Sequence, residues 1–197
     1  MRTTVTKAVA GVAIAASLLG LGACSAQPGG ALRVGEEVFT EAQIDTAMRE
    51  LGRATGQEDD RLALILQLAE APARQKQAEA VGITVTEQQI RDLTDKAVEA
   101  GHWKEPLPTD VSQTTLLLLE DSLRASLLDQ TPMTAEQSAK GAAARQAFME
   151  ENPVAINPRY GNDPRVANGA GLGHAKPIFG DVVEVQPSKP VQAMGGN

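Results

Sequence analysis

Three segments of the chain begin with the same helix-initiating pattern, and this pattern constrains the fold more than any other feature. In each, a threonine precedes a glutamine by three residues, and the segments are Thr40-Glu41-Ala42-Gln43, Thr86-Glu87-Gln88-Gln89 and Thr134-Ala135-Glu136-Gln137. The threonine hydroxyl can accept a hydrogen bond from the first turn while the glutamine side chain reaches back to the threonine amide, which is the arrangement called a capping box. Each pattern therefore predicts a helix that starts directly after its threonine.

The apolar spacing that follows these caps predicts where the helices run. Helices are expected from Glu41 to residues 52–56, from Glu87 to about Ala100, and from residue 135 to about Glu151. A further helix is expected from about Asp59 to Gly82, with Pro72 inside it. Because proline removes a backbone donor and clashes with the preceding turn, we predict a kink or a break into two helices there.

The most apolar helix is expected from Val111 to about residue 130. Four of its leucines form one stripe at helical spacing, and they are Leu116, Leu119, Leu123 and Leu127. Three more leucines lie outside this stripe, and they are Leu117, Leu118 and Leu128. A helix that is apolar on more than one side must be buried by several neighbours or by a partner.

Short strands are expected around these helices. Residues 31–40 read as a strand pair with a turn at Gly35-Glu36, residues 82–86 as a strand or an extended link, and residues 154–157 as a closing strand. The predicted fold class is mainly α with a few short strands.

The amino terminus resembles a bacterial lipoprotein precursor. Arg2 and Lys7 precede an apolar run over residues 8–22, the arrangement of a signal peptide, and the run is short for a permanent transmembrane helix. Leu21-Gly22-Ala23-Cys24 then looks like a lipobox, at which the cysteine is acylated and the chain is cleaved before it. We therefore expect a signal peptide over residues 1–23, a lipid on Cys24, a tether over residues 24–31 and an extracytoplasmic location at the cell membrane. The alternative is an ordinary secreted protein with a free thiol.

The carboxyl terminus changes in composition. Residues 157–197 are rich in glycine and proline and lack periodicity, so we expect most of this tail to be disordered. Residues 177–185, with the sequence PIFGDVVEV, could still add an edge strand.

Composition argues against several functional classes. The formal net charge of −7 and an aromatic content of 3% disfavour nucleic-acid binding. His102 and His174 are far apart and the chain has one cysteine, so no metal site or other cofactor is predicted. Ser112 and Ser126 lack a histidine or cysteine partner at a recognisable spacing, and acid pairs such as Glu120-Asp121 read as ordinary solvated groups. We expect no catalytic residue and no enzyme activity.

The remaining candidate site is apolar surface. Flexible methionine and leucine side chains can repack around varied partners. The candidate client-binding residues are Met48, Leu117, Leu118, Leu128, Met133 and Met149. The alternative interpretation is that these residues form the core of a helical domain.

The order of motifs resembles a known family. The segments VGEEVFTEAQID (34–45), AEAVGITVTEQQI (78–90), a long helix and INPRYG (156–161) are similar to the amino-terminal domain of the SurA family, and also to helical chaperone parts of trigger factor and PrsA-type foldases. The resemblance implies a SurA-like domain over residues 32–156, a cradle in which its first and last segments meet, and binding of unfolded envelope proteins. Foldases of this kind add parvulin-type isomerase domains, for which this chain has no counterpart.

Three functional hypotheses follow. The first is a membrane-anchored lipoprotein that holds unfolded or extended exported polypeptides in the manner of a chaperone. The second is a non-enzymatic structural or adaptor lipoprotein with one envelope partner. The third, a prolyl isomerase, has the least support from the sequence.

Overall fold

A computed structural model describes residues 29–160, in which a small antiparallel sheet packs beside five helices. The strands are β1 (Gly30–Val34), β2 (Glu37–Thr40) and β3 (Val154–Ile156), with β1 in the centre of the order β2-β1-β3. Gly35 forms the β1–β2 turn with φ of 58°, a conformation that favours glycine. The expected strand pair and closing strand are confirmed.

The helices are α1 (Glu41–Thr55), α2 (Arg61–Ala80), α3 (Glu87–Glu99), α4 (Gln113–Gln130) and α5 (Ala135–Glu151). All three predicted capping boxes form. Each threonine hydroxyl accepts from the backbone N–H of the glutamine, and each glutamine side chain accepts from the backbone N–H of the threonine. Residues 83–86 form no strand, and Thr86 at the end of this link has an extended backbone. The mainly helical class with short strands is therefore confirmed.

Of the kink or break predicted at Pro72, the break into two helices is wrong, because α2 is one continuous helix across this residue. Proline removes one hydrogen bond from the helix ladder, but packing on both sides of it holds α2 together. Ala71 and Ala73 are buried, and Ile65 and Leu68 in the preceding turns are fully buried. Tertiary packing of this kind offsets the local penalty of an internal proline.

The core surrounds α2 and α4. Helix α4 packs against α1, α2 and α3, while α2 also packs against α5 and β1. The largest fully buried apolar side chains come from four helices, and they are Ile44, Leu51, Ile65, Leu68, Ile90, Leu118 and Leu119.

Helix α5 packs on α2 along one narrow face. Gly141 is its only buried residue, and a Cβ atom at this position would lie 3.1 Å from Val81 Cγ1 and 3.3 Å from Gln77 Cγ. Ala144, Arg145 and Phe148 follow at helical spacing and are half-buried. Glycine therefore lets the two helices approach closely.

The two ends of the described segment are fastened to each other. Asn157 donates from its amide to Ala31 O at 2.9 Å and from Nδ2 to Gly30 O at 2.7 Å. Tyr160 donates to Glu41 Oε2 at 3.0 Å, and the Arg159 guanidinium pairs with the same carboxylate.

These contacts move two predicted boundaries. The folded unit begins with β1 at Gly30, so Gly30 and the buried Ala31 are not part of a tether, and it extends beyond residue 156 to Tyr160. The remainder of the predicted tail, residues 161–197, and the predicted signal peptide lie outside the described residues.

Gly141→Leu is expected to lower the free energy of unfolding by about 2 kcal/mol, because the larger side chain overpacks the α2–α5 contact by more than the improved helix propensity restores. Urea unfolding followed by circular dichroism measures the change. Ala142→Leu, at the adjacent exposed position, is the matched control and is expected to change it by less than about 0.5 kcal/mol. Equal effects of the two substitutions would contradict the close packing at Gly141.

Candidate functional site

Two of the six candidate client-binding residues are part of the interior. Leu118 is 0% exposed and Leu128 is 8% exposed, so neither offers surface to a client in the folded domain. Helix α4 contacts α1, α2 and α3, and Leu118 belongs to the main hydrophobic core, whereas Leu128 is buried outside that core cluster. Burial by several neighbours, and not by a partner, thus accounts for these surplus leucines.

The other four candidates do not form one continuous surface. Met48 and Leu117 are half-buried and pack against the core. Met133 precedes α5 and is half-buried, whereas Met149 lies near the other end of α5 and is 37% exposed. At 1.5 Å per residue, α5 separates these two methionines by on the order of 20 Å.

The structure instead shows an exposed face on α5 that the sequence interpretation missed. Five exposed residues share one flank of the helix, beside the face that packs on α2, and they follow one another at spacings of four, three, four and three residues. We call them the α5 seam; they are Ala135, Ala139, Ala142, Gln146 and Met149. This is the spacing at which one helix presents a continuous line of side chains to another chain. The spacing is visible in the sequence, but only the burial of each residue in the structure shows which positions of α5 are exposed and which pack on α2.

Charged side chains beneath α5 hold the helix on the core. Arg145 of α5 pairs with Glu70 of α2, whose side chain is 4% exposed. Below this pair, Arg74 of α2 pairs with Asp121 of α4, whose side chain is 0% exposed. The interpretation of Asp121 as a solvated surface acid is therefore wrong, since it lies between two packed helices.

Asp121 is a buried carboxyl in an incompletely satisfied environment. Its Oδ1 atom makes no hydrogen bond within residues 29–160. Burial raises the pKa of the Asp121 carboxyl above its ordinary value, and the nearby Arg74 guanidinium opposes this increase. The Asp121 carboxyl is held by packing and is not accessible to solvent, so we assign it a structural role.

Ser112, considered above as a nucleophile, has a structural role in the fold. It is the N-cap of α4, and its hydroxyl donates to Glu50 Oε2 of α1 at 2.7 Å. Thr115 donates to the same oxygen at 2.6 Å. Glu50 thus fastens the first turn of α4 to α1.

Other kinds of site were sought in the part of the chain that the structure describes. Within residues 29–160, no group of three or more histidine, cysteine, aspartate or glutamate side chains is arranged to hold a metal ion. None of the helices in this range has the length and apolar character required to cross a membrane. Cys24, the predicted lipidation site, lies outside the described residues.

No protein-family model, curated protein or solved structure matches this chain.

Lowering the pH is expected to stabilise the wild-type domain relative to Asp121→Asn. The pKa of Asp121 is higher in the folded chain than its ordinary value of 3.8, so the folded state takes up this proton first. Proton uptake then favours folding as the pH falls through the folded-state pKa, and the gain is complete below the ordinary pKa. Asparagine does not titrate and has no such gain.

Urea unfolding at a series of pH values between about 7 and 4 measures this difference. The free energy of unfolding of the wild type minus that of the variant is expected to rise toward acid pH. Asp129→Asn removes an exposed carboxylate from the same helix and is the matched control. A difference that stays constant or falls toward acid pH would show that the Asp121 carboxyl is not desolvated as described.

Proposed function

We propose that this chain is a lipoprotein, anchored on the extracytoplasmic side of the cell membrane, that holds unfolded or extended segments of exported polypeptides on the α5 seam. The observation that carries the proposal is the exposure of this seam, since α5 packs on α2 along a different face. A helix packed on one face only leaves its outer face available to another chain. The proposal includes no catalytic step.

The composition of the seam suits weak and unselective binding. Alanine side chains at three of its five positions let the backbone of a second chain come close, and Met149 adds a flexible apolar side chain. Lys140, Glu136 and Glu150 are exposed on the same helix beside the seam. Polar neighbours of this kind limit the apolar area, which favours short-lived complexes over aggregation.

The ends of the domain add support from the resemblance to the SurA family. That resemblance implies a cradle in which the first and last segments come together. In this chain β3 pairs with β1, and Asn157 bonds to Gly30 and Ala31. The α5 helix that carries the seam leads directly into β3, so this closure fixes the carboxyl end of the helix.

A charge in the seam is expected to weaken client binding. Ala142→Glu places a carboxylate on the seam, whereas Ala147→Glu places the same carboxylate on the same helix at a position that neighbours no seam residue at a spacing of three or four. Both positions are exposed, so each variant is expected to fold with wild-type stability within about 0.5 kcal/mol.

Light scattering from an aggregating client protein, with the lipoprotein in excess, measures the effect. The wild type and Ala147→Glu are expected to suppress aggregation, and Ala142→Glu is expected to require about tenfold more protein, corresponding to a loss of about 1.4 kcal/mol of binding free energy. Equal suppression of aggregation by both variants would show that the seam does not bind the client. Absence of suppression by the wild type would favour an adaptor with one folded partner.

The membrane anchor has its own test at Cys24. A thioether-linked lipid is expected on this residue, since the anchor requires the cysteine thiol, and two or more acyl chains give stable membrane attachment. Five residues separate Cys24 from β1, so the sheet would lie within about 20 Å of the lipid.

Cell fractionation and mass spectrometry of the amino-terminal peptide test this anchor. Cys24→Ser is expected to move the protein out of the membrane fraction, while Ser25→Ala retains it. A wild-type protein that is unlipidated and soluble would contradict membrane anchoring and leave the α5 seam to be tested separately.

A further inference from the structure

The outer edge of β3 is open in the described part of the chain. Strand β3 lies at the edge of the sheet and pairs with β1 through Leu32 opposite Ile156, Arg33 opposite Ala155 and Val34 opposite Val154. The flanking hydrogen bonds run from Gly35 N to Pro153 O and from Asn157 N to Ala31 O.

These flanking bonds fix which backbone groups of β3 point outward. In an antiparallel pair, alternate residues exchange hydrogen bonds with the partner strand. The backbone groups of Pro153 and Asn157 bond to β1. The backbone N–H and C=O of Ala155, midway between them, therefore also point toward β1. The N–H and C=O groups of Val154 and Ile156 then point to the open edge, where a fourth strand could bond to them.

The same edge leaves apolar surface uncovered. Val154 is 40% exposed, although its partner in the register, Val34, is buried. Directly opposed residues lie on the same face of a sheet, so Val154 belongs to the face that packs on the helices. An added strand with apolar residues on this face would cover it.

We propose that residues 181–185 of this same chain occupy the open edge of β3 as a fourth strand. Their sequence, Asp-Val-Val-Glu-Val, is rich in β-branched residues and contains the alternation Val183, Glu184, Val185. With Val183 and Val185 on the face of Val154, the side chain of Glu184 lies on the opposite face of the sheet. This assignment does not depend on the proposed function.

Charge complementarity favours this register. Arg33 of β1 is exposed on the face opposite to the helices, and it has no ion pair within residues 29–160. Its neighbour on β3 is Ala155, whose side chain is short. Neighbouring strands are about 4.8 Å apart, so a glutamate on the fourth strand is within reach of an arginine two strands away across an alanine.

The chain beyond Tyr160 is also long enough to reach the open edge of β3. Tyr160 follows Ile156 by four residues and is fixed to Glu41, which directly follows β2, so the described chain ends beside the sheet, at the end where β3 stops and about two strand spacings from the β3 edge. Residues 161–180 then connect Tyr160 to the proposed strand, and 20 residues can span far more than the width of the sheet. Because the strand is tethered to its site, pairing is intramolecular and does not require a high protein concentration.

Hydrogen exchange of individual backbone amides tests the proposal on the full chain purified in detergent. The Val154 and Ile156 amides are expected to exchange at least about tenfold more slowly than in a chain whose tail cannot pair. The Ala155 amide, bonded to β1, is the internal reference and is expected to be protected in every variant.

Proline substitutions provide the chain whose tail cannot pair. Successive amides of a strand point in opposite directions, so one of Val182→Pro and Val183→Pro must remove a donor that faces β3. At least one of them is expected to release the Val154 and Ile156 amides. Ser188→Pro, which lies outside the segment and between two existing prolines, is the matched control and is expected to leave protection unchanged.

Three outcomes would overturn the proposal. Rapid exchange of Val154 and Ile156 in the wild type would mean that nothing covers the edge. Protection that persists in both proline variants would assign the edge to another segment. Protection that disappears on dilution, together with a dimer in mass measurements, would assign it to a second copy of the chain.

Discussion

The contact between α2 and α5 determines how much of this molecule is available to other proteins. Gly141 brings the two helices close, and a narrow face of half-buried residues completes the contact. Since α5 has its main partner in α2, the rest of its circumference is exposed. A broader contact, or a second neighbour, would have buried the seam and left the domain without an open helical face.

The buried ion pairs beneath α5 fix where this contact forms. The Arg145–Glu70 and Arg74–Asp121 pairs connect α5 to α2 and α2 to α4, and the carboxylate of each pair is buried. Such pairs contribute little net stability because desolvation offsets the attraction, but leaving one partner unpaired costs roughly 3–5 kcal/mol. Sliding α5 along α2 would separate Arg145 from Glu70, so the charges favour one register over its alternatives.

Local signals in the sequence predicted most of the secondary structure. The capping boxes at Thr40, Thr86 and Thr134 act within one turn, and all three form as expected. The break at Pro72 was wrong because packing from distant parts of the chain keeps α2 continuous. The sequence also did not reveal where the domain ends, since the fastening of Asn157 to Gly30 joins residues 127 positions apart.

The candidate surface was harder to predict than the elements that carry it. Leu118 and Leu128 belong to a helix with too many leucines for one face, and only the positions of α1, α2 and α3 show that these leucines are interior. Conversely, the seam consists mostly of alanine, which gives a weak hydrophobic signal. Its spacing is visible in the sequence, but its exposure depends on Gly141 and on pairs such as Arg145–Glu70, which join residues 75 positions apart.

Photo-crosslinking in living cells tests most directly whether the seam contacts unfolded exported proteins. A photoreactive amino acid replaces Ala142 on the seam or, in the control, Ala147 outside it, and mass spectrometry identifies the adducts. Several different exported polypeptides, crosslinked from position 142 and much less from position 147, are the expected result. One folded partner, or no difference between the two positions, would contradict a seam that holds unfolded chains.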